Sequence, residues 1–201
     1  MADRRATAAA RRERRAQVDD PGVVMEAAAA FLAVRSRSVA ETRRRLRHLG
    51  YRQALVEQVL ERLVEMAYLD DEAFARAWVE SRDRARPRGA SALRRELALK
   101  GVPRETVEAI LGERDEWAGR AALVTGAGDR AGGVSADEAA AGRLLERRGA
   151  ALLRETDARR RRQRAYALLA RSGFDPEVCR TAAAAWLAAA GDVTGGQGEE
   201  G

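Results

Sequence analysis

A chain of 201 residues is long enough to bury a core without disulfide or metal staples. Its hydrophobic share of 46% leans on alanine and only 4% of residues are aromatic, which suits close helix-on-helix packing and argues against a β-sandwich. The net charge is +6 and almost all the positive charge is arginine, Lys100 being the sole lysine, which points to an anionic partner.

The elements follow in chain order. Residues 1–20 lack the apolar stretch of a secretory signal and show no apolar periodicity, so they are expected to form a disordered basic arm. Asp20-Pro21 opens a first helix running to about Val34, with Asp20 as cap and Pro21 at the first helical position. Ser38 and Glu41 have the spacing of a capping box and start a basic helix that Gly50 stops. From about Gln53 to Ala67 the spacing of Val56, Val59, Leu60, Leu63 and Val64 predicts a helix with one buried face. Asp70 caps the next helix, which turns Phe74 and Trp78 inward and ends near Arg86. The scheme repeats from Ala90 to Gly101 and restarts at Pro103, ahead of Val107, Ile110 and Leu111. The glycine-rich segment 118–135 reads as a flexible loop, after which Ser135 and Glu138 offer a second capping box. A last basic helix begins near Asp157 and stops at Gly173, and Asp175-Pro176 starts its partner; residues 191–201 read as a disordered acidic tail.

One pattern recurs three times. Four residues before Gly50, Gly101 and Gly173 stands a leucine (Leu46, Leu97, Leu169), immediately after comes Tyr51, Val102 or Phe174, and six after comes Val56, Val107 or Cys179. Arg37, Arg88 and Arg160 each stand thirteen residues before their glycine, and Arg43-Arg44 is matched by Arg94-Arg95. A unit that cannot bury its apolar face alone must stack on a neighbour, so the fold expected is all-α, an elongated, curved array of about three tandem three-helix repeats. The units expected are 21–86 with a leading helix, 87–148 with the insertion, and 149–190. In such an array the three arginines in register are expected to project along one side.

Signals for catalysis are weak. Asp70, Asp71 and Glu72 lie at a helix start, where capping and the helix dipole explain them without metal chemistry. There is no phosphate-binding loop of the G-x-x-x-x-G-K-[ST] type. One histidine, His48, and one cysteine, Cys179, cannot complete a usual zinc site, and a single cysteine forms no internal disulfide, which fits a reducing cytoplasm. No run of about 20 apolar residues is present to span a bilayer, so nucleic acid is favoured over membrane. Two helices joined at a glycine also occur in helix-turn-helix regulators of duplex DNA. That alternative is disfavoured by second helices that carry an apolar stripe and few base-reading side chains.

Arg35-Ser36-Arg37-Ser38, Tyr68-Leu69-Asp70-Asp71 with Phe74 and Trp78, Ser81-Arg82, Gly89, Glu96-Leu97, Lys100-Gly101 and Gly173-Phe174 together resemble the RecX regulatory family over about residues 24–190. The resemblance implies tandem three-helix repeats without catalytic activity or cofactor. It also implies binding to the RecA recombinase and its filament on single-stranded DNA, mainly as a negative regulator of strand exchange and ATP hydrolysis. Weaker duplex binding, a monomeric state and roles in homologous recombination, DNA repair and the SOS response go with it. The residues expected to meet DNA or recombinase are Arg37, Arg43, Arg44, Arg82, Arg88, Arg94, Arg95, Lys100, Arg160 and Arg161. Where the family carries glycine before the tyrosine, this chain has Ala67; alanine disfavours a left-handed turn, so the helix is expected to run one residue longer.

Overall fold

The computed structural model describes residues 2–124 and 135–195. Among them the chain forms helices and no strand: α1 (Ala2–Ala16), α2 (Pro21–Leu32), α3 (Val39–Leu49), α4 (Gln53–Glu65), α5 (Asp71–Ala85), α6 (Ala90–Lys100), α7 (Arg104–Val124), α8 (Ala136–Leu153), α9 (Ala158–Arg171) and α10 (Pro176–Gly195). The fold is the all-α repeat array that the spacing predicts.

The basic helices α3, α6 and α9 all stop by one mechanism. Gly50, Gly101 and Gly173 take left-handed φ values of 108°, 78° and 83°. Each glycine N–H donates back to Arg47, Ala98 or Ala170, and the next residue's N–H donates to Leu46, Leu97 or Leu169. These paired bonds satisfy carbonyls that the helix leaves orphaned. The leucine and the apolar residue flanking each glycine are therefore the two ends of one closure, and both are buried in every copy.

Ala67 makes the same closure without glycine. Its N–H donates to Val64 and that of Tyr68 to Leu63, at a φ of 57°. The helix does not run longer as expected; α4 ends at Glu65. Burial of Leu63 and Leu69, at 2% and 1% exposure, fixes both sides of the turn and outweighs the roughly 1–2 kcal/mol that a left-handed alanine costs.

The chain divides into two compact units, Met1–Arg76 with Leu97–Thr106, and Ala77–Glu96 with Val107–Gly201. In the first, α2, α3 and α4 pack on one another around Val24, Leu46, Val56, Val59 and Leu60. Asp20 and Ser38 cap as the sequence predicts, Ser38 within a full capping box. The N-terminal arm, expected to be disordered, is helical. Alanine, arginine and glutamate are strong helix formers, and α1 is held by Arg15, whose guanidinium donates to the Leu49 carbonyl and lies 5.9 Å from the Tyr51 ring. Gly101 is covered in turn by the first turn of α3, where an added Cβ would stand 2.4 Å from Ala40 Cβ.

In the second unit α8, α9 and α10 pack around Leu145, Leu169, Cys179 and Ala183. Gly149 admits Trp186, whose ring would stand 2.4 Å from a Cβ there. Gly173 is covered by Ala92 at the same 2.4 Å, and the Gly89 N–H donates to the Ser172 carbonyl at 3.1 Å. Ser135 and Glu138 form the predicted capping box, and Asp157 caps α9. Two segments expected to be irregular begin as helix: α7 continues to Val124 through Ala118, Ala121 and Ala122, which favour helix, and α10 continues to Gly195 past the alanine run Ala188–Ala190. The remaining parts of the insertion and tail, residues 125–134 and 196–201, lie outside the described residues.

Candidate nucleic-acid interface

The basic helices carry the candidate arginines, and the acids around them sort these residues into two kinds. On α3, Arg43 donates through Nε to both carboxylate oxygens of Glu57 at 2.9 and 3.0 Å. Arg94 on α6 does the same with Glu108, at 2.9 and 3.2 Å, and this hydrogen bond raises its pKa. Both pairs tie a basic helix to the helix that follows it. Their neighbours differ: Arg95 is exposed and pairs with no carboxylate among the described residues, and exposed Arg44 reaches only the Leu99 carbonyl, at 3.4 Å.

Glu96 gathers Arg82 and Arg88. It accepts from Arg82 Nε at 2.6 Å and from Trp78 Nε1 at 2.8 Å, and Arg88 Nε stands 3.7 Å away, buried and without a hydrogen bond among the described residues. The Arg82 guanidinium also lies 4.3 Å from the Trp78 ring centre. Lys100 donates to Glu41 Oε1 at 3.0 Å, the same oxygen that Arg35 meets at 3.0 Å. Arg37 lies 4.2 Å over the Phe31 ring, with its Nε buried and without a hydrogen-bond partner among the described residues. Arg161 donates to the Glu155 and Thr156 carbonyls. Arg160 is exposed.

The three-arginine register does not survive in the helices. Arg37 and Arg88 stand two residues before Val39 and Ala90, where α3 and α6 begin, whereas Arg160 lies inside the first turn of α9. Asp157 caps α9 early and gives it 14 residues against 11 in α3 and α6, so equal distance from the stop is not equal place at the start.

Sequence reasoning missed the acids that organise each unit. Asp71 accepts the Val39 N–H at 2.9 Å and Asp137 accepts that of Ala90 at 2.9 Å, so the first residue of α3 and of α6 is held by an aspartate from the first turn of α5 and α8 respectively. Burial pushes the Asp71 carboxyl up even though Val39 hydrogen-bonds to it. Arg114, 8% exposed in its side chain, donates to Asp83 at 2.8 Å and to Asp137 at 2.7 Å. Burial alone would lower its pKa, but the two aspartates raise it. The only trace in the sequence is an aspartate recurring in the first turn of α5 and α8.

Asp70 spends its carboxylate on the N–H groups of Glu72 and Ala73, which is capping. Among the described residues no group of three or more His, Cys, Asp or Glu is placed to hold a metal ion, and no helix is long and apolar enough to cross a membrane. Guanidinium groups stay protonated and donate only, so the exposed arginines can bind anions but cannot shuttle protons.

A model of the first three-helix domain of RecX matches residues 25–63, which hold most of α2–α4, and one of the second matches residues 70–111, from α5 into α7. Regulatory protein RecX of Prosthecochloris aestuarii is 39% identical over 99 residues, 49% of this chain and 66% of that one. Its counterpart in Chlorobium limicola is 41% identical over 85 residues, 42% of this chain and 54% of that one. That of Mycobacterium sp. (strain JLS) is 41% identical over 90 residues, 45% and 49% respectively. The matched stretch thus spans between about half and two thirds of these relatives' length. The crystal structure of RecX from Lactobacillus salivarius superposes with a TM-score of 0.62 at 16% identity, covering 85% of this chain and 98% of that one, which bears on the fold. Two domain models in tandem, relatives at about two-fifths identity and the repeated helix closures agree, and the chain belongs to the RecX family.

Proposed function

We propose that this chain is a non-enzymatic, cytoplasmic regulator that binds, as a monomer, the filament a RecA recombinase forms on single-stranded DNA, and that it slows ATP hydrolysis and strand exchange. Family membership supports the recombinase as partner. The observation that carries the contact surface is the pair Arg44 and Arg95, exposed, without a carboxylate partner among the described residues and at one position of the repeat. Such cations suit phosphates or acidic protein surface without reading sequence. Arg160 extends the same chemistry to α9. Arg43, Arg82, Arg94 and Lys100, each facing a glutamate, act mainly to hold their helices.

The test is sedimentation with RecA filaments assembled on single-stranded DNA. The chain is expected to pellet with filament and to bind recombinase-free duplex more weakly. A chain that stays in the supernatant with filament contradicts the proposal.

A further inference from the structure

Helices α8 and α9 pack against each other and leave a groove of about 390 Å³ between them. On α8, Arg148, Ala151 and Leu152 share one face by their spacing; on α9, Arg164, Ala167, Leu168 and Arg171 do so. The floor is aliphatic, with Leu152 and Leu168 half-buried and Ala151 open to solvent. The rim is cationic. Arg164 is neutralised by Glu155 at 3.0 Å, but Arg148 and Arg171 are exposed and meet no carboxylate among the described residues.

Those two properties select the occupant. Single-stranded nucleic acid gains by stacking bases on aromatic rings, and this floor offers none, while a phosphate backbone has no use for leucines. An amphipathic acidic helix uses both, setting aliphatic side chains on the floor and carboxylates on the guanidinium forks. The α9 stripe from Arg164 to Arg171 rises about 10 Å, so roughly two turns of the occupant are engaged.

We infer that the α8–α9 groove docks an acidic amphipathic helix of a protein partner, its aliphatic face on Leu152 and Leu168 and its carboxylates on Arg148 and Arg171. None of the groove residues is among the arginines assigned above to the filament, although Arg160 stands one turn before Arg164 on α9, and the variants that test each assignment are different.

The probe is a fluorescein-labelled, glutamate-rich peptide of about 15 residues with leucines along one helical face, titrated with the full chain by fluorescence anisotropy. Saturable binding that weakens about ten-fold or more in R148E/R171E supports the inference, as does the same loss in A151E, which sets a carboxylate among the leucines. All three positions are exposed, so helix content measured by circular dichroism should match the parent. Equal binding of a leucine-free glutamate peptide, unchanged affinity in the variants, or no saturable binding overturns it. A thymidine oligonucleotide whose binding is lost in the same variants, without peptide binding, overturns it in favour of a nucleic-acid site.

Discussion

The Ser38 hydroxyl donates to the Lys100 carbonyl at 2.6 Å, so the residue that caps α3 also fastens the last turn of α6. The same oxygen accepts the Glu41 N–H at 3.0 Å, and Ser38 is fully buried. S38A removes the cap and the tertiary bond together and is expected to lower stability by about 1–2 kcal/mol. Urea denaturation reads this directly; an unchanged midpoint would contradict the double role.

Gly173 and Ala67 share one backbone conformation in opposite circumstances. A Cβ at Gly173 would meet Ala92 Cβ at 2.4 Å and add left-handed strain, so G173A should cost about 2–4 kcal/mol. Ala67 already carries that strain, and A67G should stabilise by roughly 0.5–1 kcal/mol once glycine's extra chain entropy is subtracted. Thermal melting separates the signs, and two shifts in the same direction would refute the shared closure.

Glu41 sets an acid limit on stability. Burial pushes its carboxyl up, but hydrogen bonds from Arg35 and Lys100 win and hold it at about 2. A folded pKa below the unfolded one stabilises fully above the ordinary carboxylate range and is lost as pH falls. E41Q should therefore lose roughly 1–2 kcal/mol at neutral pH, with exposure of Arg35 discounted, and the gap to the parent should close between about pH 5 and pH 2. A gap constant across that range would mean that the carboxylate's charge is not what matters.

DNA affinity should fall steeply with salt, and the exposed arginines should set the slope. For single-stranded DNA, R44A/R95A should flatten the plot of log affinity against log salt by about 0.7 for each phosphate that is no longer neutralised. R43A/R94A, whose guanidiniums face Glu57 and Glu108, should leave the slope close to the parent's. An unchanged slope in R44A/R95A, or a duplex sequence preference kept at high salt, contradicts this and favours a transcription regulator.

What the sequence made legible was local. The leucine, glycine and apolar triplets at Gly50, Gly101 and Gly173 are helix closures whose residues all lie within six positions, and the capping boxes at Ser38 and Ser135 are shorter still. The partners of Arg43, Arg82 and Arg94 each lie 14 residues away, across a turn between helices, where charge alone does not choose one glutamate from several. Asp137 reaching back to Ala90 depends on how α8 returns after the insertion, which no local pattern encodes. At Ala67 propensity points away from the turn that forms, because burial on both sides of it decides the outcome. Candidate cations are therefore easy to name from sequence, but not to sort into helix ties and free donors.

ATP hydrolysis by a RecA recombinase on single-stranded DNA, followed as this chain is titrated in, tests the regulatory reading most directly. The rate is expected to fall with added chain and to level off at saturation, with R44E/R95E needing markedly more protein for the same effect. Hydrolysis that holds its rate while the folded chain saturates the filament would contradict the account.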